Sequence, residues 1–472
     1  MSSGYDTTTK GAATRRFHAE YAWLPGQVEP SPDVLVEVEG GRFSSVTVGV
    51  PAPSGVTRLR GLALPGLANA HSHAFHRALR GHTHTERGTF WSWRDRMYEV
   101  AGVLDPDRYL ALARATYAEM ALAGITCVGE FHYLHHNPDG TPYAEPNAMG
   151  EALVEAAAAA GIRITLLDTL YLTSTVEGEP LRGVQRRFGD RDLDAWSARH
   201  ESLRPAPHAR IGSALHSVRA VPLSALSAFA YRNQGVPLHF HLSEQRAENE
   251  ASVARHGCTP TQLLADMGVL GPTATAVHAT HLTGTDLDLL GSSGTGACLC
   301  PTTERDLADG IGPARTLADS GSPLSLGSDS HAVIDLFEEA RAVELDERLR
   351  TERRGHFAPD ELTHAATAAG HAALGWDDAG MIAVGARADL TTVRLDSVRT
   401  AAVPAAGAFF AATAADVTDV LVDGRVVVRD GRHVSIDVAA ELARSIGELT
   451  RSTPELARST PEPARSIGEL RS

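Results

Sequence analysis

Residues 62–81 read LALPGLANAHSHAFHRALRG, an apolar run ending in three histidines within six positions, His71, His73 and His76. A run that is apolar on both faces and turns polar only at its end is what a parallel barrel strand presents at its C-terminal rim. The His-x-His spacing also puts two imidazoles on one strand face. Taken alone, the stretch is equally compatible with a histidine-rich turn, so its meaning depends on what the rest of the chain sets beside it.

Working outward, short apolar runs alternate with longer helical ones. The candidate strands are Leu62–Ala70, Ile125–Phe131, Ile162–Leu170, Ile211–Leu215, Val236–Leu242, Ala274–Thr280, Gly296–Cys300 and Pro323–Ser328. Between them, Asp105–Ala123 opens on Asp-Pro and stops at Gly124, Asn147–Ala160 stops at Gly161, and Pro222–Asn233 stops near Gly235, the start and stop signals of helices. Eight strands with intervening helices predict an α/β fold, a (β/α)8 TIM-like barrel over residues 61–379. A doubly wound sheet is the competing architecture, but no glycine-rich phosphate loop follows the first strand. The flanks, 16–60 and 380–436, carry short β-type runs with turns such as Asp423-Gly424 and Asp430-Gly431 and predict one small β-sandwich built from both chain ends. Residues 1–15 are expected to be a disordered tail. So are residues 437–472, where ARSIGEL occurs at 443–449 and again at 464–470.

Composition narrows the function. The 472 residues carry a formal net charge of −15, which argues against nucleic acid or an anionic membrane as partner. No run approaches membrane-span length, and the first residues lack the apolar segment of a secretory signal, so a cytoplasmic protein is expected. Histidine is abundant at 22 residues, whereas the one lysine is Lys10. That removes a Schiff-base lysine, a P-loop lysine and a carboxylated lysine bridging two metals.

The histidines fall at strand ends: His71 and His73 on the first, His239 and His241 on the fifth with Glu244 close behind, His278 and His281 on the sixth, and Asp329 on the eighth. Neutral imidazoles with one carboxylate suit Zn²⁺ and leave a position for an attacking water. Glu244 is placed to carry protons beside it.

The segments PGLANAHSH, HFHLSE, VHATHL and LGSDSH resemble the signatures of strands 1, 5, 6 and 8 in the amidohydrolase superfamily, over residues 16–436. The resemblance implies His71, His73, His241 and Asp329 as metal ligands, Glu244 as proton shuttle, His278 as the group polarising the reacting centre, and Asp329 as acceptor of the water proton. His239 and His281 match no required role. It implies one Zn²⁺ per subunit, with Fe²⁺ or Mn²⁺ also admissible, and a homodimer. The blocks HSHAFHRALRG, TFWSWRDRMYEV, GEFHYLHH, ALHSVRAV, HLSEQ and PTTERDLADGI are further similar to the formimidoylglutamate deiminase branch, which implies a small dicarboxylate substrate from histidine degradation. The matching contacts are Arg94, Tyr133, His216 and Arg219, with His76 near them; arginine forks suit carboxylates. Two features depart from that branch: His76 stands where it carries Gln, and Arg305 and Ala308 alter the seventh-strand block. The alternative is another mononuclear-zinc aminohydrolase acting on guanine, cytosine or S-adenosylhomocysteine.

Overall fold

The computed structural model describes residues 14–83 and 90–453. Among them, β1 (Arg15–Ala22), β2 (Ser31–Glu39), β3 (Arg42–Val48) and β4 (Thr57–Pro65) open the chain. Eight parallel strands follow: β5 (Leu67–Ser72), β6 (Ile125–His132), β7 (Arg163–Leu170), β8 (Ala209–Leu215), β9 (Leu238–Leu242), β10 (Ala274–His278), β11 (Gly296–Leu299) and β12 (Leu324–Leu326). They pair in chain order, β5 to β12. Every residue of β5, β6 and β7 is buried, as expected of strands covered on both faces. The expected (β/α)8 barrel is therefore present. Its seam is closed by a parallel bridge between Ser72 and Asp329, in which Asp329 N–H donates to the His71 carbonyl (3.0 Å) and His73 N–H to the Asp329 carbonyl (3.3 Å).

Helices follow the signals read above. Asp105 caps Pro106–Leu122 by accepting from Arg108 N–H at 2.9 Å. Gly161, at φ +77°, ends Ala148–Ala160 in the left-handed conformation that costs glycine least.

The remaining strands are β13 (Leu390–Val393), β14 (Val417–Val422), β15 (Arg425–Arg429) and β16 (Arg432–His433). Both chain ends join in one sheet of order β16-β15-β14-β13-β4-β1-β2-β3. The two halves meet where β4 runs antiparallel to β13. A buried ion pair fastens this sheet to the barrel: Arg163 of β7 binds Asp389, and its Nη1 also reaches Asp423 at 3.2 Å.

Two expectations are corrected. The run Leu62–Ala70 is not one barrel strand, because Leu62–Pro65 belongs to β4 and only Leu67 onward enters the barrel. The change of sheet occurs at Gly66, where a Cβ would stand 2.3 Å from Thr126 Oγ1 and 2.9 Å from Asp389 Cβ. Both halves are buried, so hydrophobicity cannot separate them. Secondly, disorder does not begin at 437. Val438–Ser452 is a helix, capped by Asp437, whose buried residues include Val438 and Leu449, and its Glu441 pairs with Arg114 of Pro106–Leu122. Packing of its apolar stripe orders this segment. The rest of that tail, 454–472, lies outside the described residues, as does the N-terminal tail up to residue 13; Arg15 already begins β1. No helix among the described residues is long and apolar enough to cross a membrane.

Candidate active site

The barrel brings the strand-end residues together. His71 is the fifth residue of β5 and His73 follows the strand; both Nε2 atoms lie 3.4 Å from Asp329 Oδ1. Ligand atoms of His71, His73 and His241 all fall within 4.8 Å of one another. Two of these rings are oriented from behind: His73 Nδ1 is 2.9 Å from the Phe131 carbonyl and His241 Nδ1 is 2.9 Å from the His216 carbonyl. A carbonyl only accepts, so each Nδ1 carries the proton and each Nε2 keeps its lone pair toward the cluster. Neither His71 nitrogen makes a hydrogen bond.

Electrostatics agree with that geometry. Burial lowers the pKa of His71, His73 and His241, keeping the imidazoles neutral. Burial alone would raise Asp329, but His71, His278 and His73 hold it well below the usual carboxylate range. Three neutral nitrogens and one carboxylate, buried and without other partners for His71, fit a divalent transition metal.

His278 Nε2 lies 3.8 Å from Glu244 Oε1 and 3.7 Å from Asp329 Oδ2. Its Nδ1 is 3.4 Å from Glu304 Oε1, which also accepts the Cys300 N–H at 2.9 Å. Burial disfavours a charge on His278, yet Glu244, Glu304 and Asp329 together raise its pKa well above the ordinary value. Burial raises the Glu244 carboxyl. Ser243 (φ +52°), His278 (φ +68°), Ala279 (φ +51°) and Asp329 (φ +41°) occupy the left-handed region, a cost of about 1 kcal/mol or more each for a residue with a Cβ. The backbone is thus bent where these side chains must converge.

A cavity of about 80 Å³ opens above the cluster, lined by His73, His76, Arg94, Tyr133, His216, Arg219, His241, Glu244, His278 and Asp329. It gathers every site residue expected from sequence except His71, which is fully buried. His76 sits in the short turn Ala74–Leu79 with Nε2 3.0 Å from the Tyr133 hydroxyl, and burial pushes its pKa down to about 3. It is therefore a neutral hydrogen-bonding group. Arg94, on the helix Phe90–Val103, lies with its guanidinium carbon 5.5 Å from the centre of the Tyr98 ring. Arg219 donates to the Tyr171 hydroxyl (2.9 Å) and the Ser174 carbonyl (3.3 Å), both uncharged.

His239 and His281 face away from this cavity, bonded to the carbonyls of Ala373 and Asp309 at 2.9 and 2.8 Å. Arg305 pairs with Glu338 and Asp346 and is not a wall residue. Sequence reading gave no role to Glu304, Tyr98, Tyr171 or Phe188. Tyr171 directly follows β7 and Glu304 lies four residues beyond Cys300, so the strand-end rule that found His278 reaches both. A second group, His132, His135 and Asp168, also has metal-like spacing. There Arg199 Nη1 donates to Asp168 Oδ1 at 2.7 Å and His200 Nδ1 is 3.2 Å from Oδ2, so the carboxylate is committed to a cation already. Cys300 also lies near His278 and Asp329, but burial pushes its thiol well above the ordinary value and away from the thiolate that ligates metal.

Comparison with known proteins agrees with the fold. The amidohydrolase family model matches residues 62–427. A formimidoylglutamate deiminase of Pseudomonas aeruginosa is 37% identical over 404 residues, covering 82% of this chain and 89% of the relative. A 5-methylthioadenosine/S-adenosylhomocysteine deaminase of Halobacterium salinarum is 30% identical over 419 residues, covering 86% and 91%. Among solved structures, an amidohydrolase from Brucella melitensis superposes with a TM-score of 0.84 at 32% identity, covering 92% of this chain and 99% of that one. The chain belongs to the amidohydrolase family.

Proposed function

We propose that the protein hydrolyses N-formimino-L-glutamate to N-formyl-L-glutamate and ammonia. One observation carries the reading: a small cavity has two guanidiniums, Arg94 and Arg219, in the same wall system as the His278–Glu244–Asp329 cluster. Among the described residues no carboxylate forms an ion pair with Arg219. Its hydrogen bonds go to the Tyr171 hydroxyl and the Ser174 carbonyl, while Glu248 acts on it from further off. Its donors are thus not fixed by a carboxylate fork, which suits an anionic ligand. The wall carries aromatic rings of Tyr98, Tyr133, Tyr171 and Phe188 beside the two guanidiniums, and the paired positive charge favours a dicarboxylate over an uncharged base. The Pseudomonas relative supports the same chemistry.

His71, His73, His241 and Asp329 would hold the metal, which when bound acidifies water and stabilises developing negative charge. The arginines clamp the substrate carboxylates, with Tyr133, His216 and His76 adding hydrogen bonds, so that the formimidoyl carbon is held at the acidic end of the cavity. Asp329 takes the proton of the attacking water as the C–O bond forms. His278 orients and polarises the reacting centre. Glu244 delivers protons to the imino nitrogen, the C–N bond breaks, and nitrogen leaves as ammonia while the carbonyl forms.

The test is ammonia release by metal-reconstituted protein from formiminoglutamate, guanine, cytosine and S-adenosylhomocysteine. Preference for formiminoglutamate is expected, and preference for a purine or pyrimidine overturns the substrate. Glu244→Gln, with metal content unchanged, is expected to lower kcat at least 10²-fold, the lower range of general acid–base contributions. Near-normal turnover by that variant would make the shuttle assignment wrong.

A further inference from the structure

Behind the cavity, at the closing seam, lies a line of buried polar side chains that none of these steps uses. Asn69, Ser72, Glu130, Ser328 and His331 are all fully buried. Asn69 Nδ2 donates to Ser328 Oγ at 2.7 Å, and Ser328 Oγ is 3.0 Å from His331 Nδ1. His331 Nε2 is 3.1 Å from Ser72 Oγ, which donates to Glu130 Oε2 at 2.7 Å. Glu130 Oε1 accepts the Ala74 N–H at 2.7 Å, and the His331 carbonyl accepts from Arg80 Nε at 2.6 Å. One proton arrangement satisfies every link. Ser72 gives its proton to the carboxylate and accepts from His331 Nε2–H. The Nδ1 of that neutral ring accepts from the Ser328 hydroxyl, which accepts from the Asn69 amide. All donors point toward Glu130.

The placement is specific. Ser72 stands between His71 and His73 and, by strand alternation, projects to the face opposite their imidazoles. Ser328 and His331 bracket Asp329. The line therefore joins β5, β6 and the turn after β12 at the three points that set the distance from the imidazole pair to the carboxylate.

We propose that this line, anchored at Glu130, positions the His71–His73 pair against Asp329, and that Ser72, Glu130 and His331 are positioning residues whose integrity sets metal affinity. The proposal rests on reading His71, His73, His241 and Asp329 as the metal site. The line touches no ligand side chain; it holds the backbone of residues 72–74 and 328–331 that carries them. Its effect is set at the size of outer-shell partners, about 10- to 100-fold in affinity.

The test compares the full chain with Ser72→Ala, Glu130→Gln and the double variant, using chelator competition for Zn²⁺ and the visible absorption of the Co²⁺-loaded proteins at a temperature where all are folded. Leu449→Ala, remote from the site, serves as a destabilised control. Each single variant is expected to weaken Zn²⁺ binding 10- to 100-fold and to change the Co²⁺ spectrum, the double variant to be little worse than either, and the control to bind as the unmodified chain does. An unmodified chain that binds no stoichiometric metal overturns the site reading itself. An unmodified chain that binds one metal, with both single variants within twofold of it and spectrally identical, overturns only this inference. Failure of Ser72→Ala to fold also overturns it, because the line would then hold the barrel rather than the ligands.

Discussion

Arg219 and Ala308 show how differently two residues on loops of the same barrel rim are constrained. Arg219 donates to Tyr171 and the Ser174 carbonyl and lines the cavity without a direct ion pair, Glu248 acting on it only at longer range. Arg219→Ala is expected to lower kcat/KM for formiminoglutamate roughly 10²-fold or more, about 3 kcal/mol of lost charge-assisted binding; Lys should rescue it only in part, lacking the fork. Steady-state kinetics on the two variants decide. Ala308 is exposed and held at φ +59°, a conformation in which a Cβ costs about 1 kcal/mol. Ala308→Gly should therefore stabilise the protein by up to about 1 kcal/mol in chemical denaturation and leave turnover unchanged. His76 carries a related lesson. Its place in the histidine-rich turn was visible in the sequence, but that it acts as a neutral partner of Tyr133 depends on burial, which no local pattern reports.

Among the elements, the helix Val438–Ser452 is the one least visible in the sequence. Val438, Leu442, Ile446 and Leu449 recur at helical spacing and contact the main core, yet the repeated ARSIGEL composition obscures that stripe. Leu449 is 1% exposed, and Leu449→Ala should cost about 2–4 kcal/mol by leaving a cavity against the core, read as a lower thermal midpoint with unchanged KM. The β4–β5 junction was missed for the opposite reason: Leu62–Leu67 is apolar throughout, so periodicity gives no mark where one sheet ends and the next begins. Only Pro65-Gly66 punctuates it, and Gly66 is required there by the approach of Thr126. Barrel strands and their capped helices were legible because alternating strand and helix signals are strong; sheet partnership of the flanks was legible only as composition.

For the whole molecule, the number of buried neutral histidines sets the acid limit. Burial pushes His76 down to about 3 and His135, His239 and His371 to about 4, whereas the unfolded chain titrates near 6.5. Between these values the unfolded chain takes up protons that the folded one refuses, so the stability they contribute is complete above about pH 6.5 and falls as pH is lowered. Each such group contributes up to about 1.4 kcal/mol per pH unit. Against them, Glu130 and Glu248, raised by burial to about 7, and Asp309, raised to about 9, take up protons first in the folded state and so gain stability as pH falls. The histidines outnumber these carboxyls, so the urea midpoint should decline from about pH 6.5 to 5; a midpoint that rises over that range would contradict these shifts. That His71, His73, His241 and His278 share one face was legible from their strand-end positions, since the barrel rule maps strand ends to one face. The same rule also picked His239 and His281, and only the family resemblance set those two apart. That Glu130 and His331 stand behind the His71–His73 pair was not legible, because a polar residue in or beside a fully buried strand looks the same on either side of the barrel wall. The seam through Ser72 and His331 spans 259 residues of chain, and this bears on synthesis. A nascent chain carries His71, His73 and His241 long before it carries Asp329, so a ribosome-bound or truncated product shorter than about 330 residues offers only a loose, carboxylate-free histidine set. Such fragments lack the one carboxylate of the set, and the His71–His73–Asp329 arrangement can close only after the eighth barrel strand has been made.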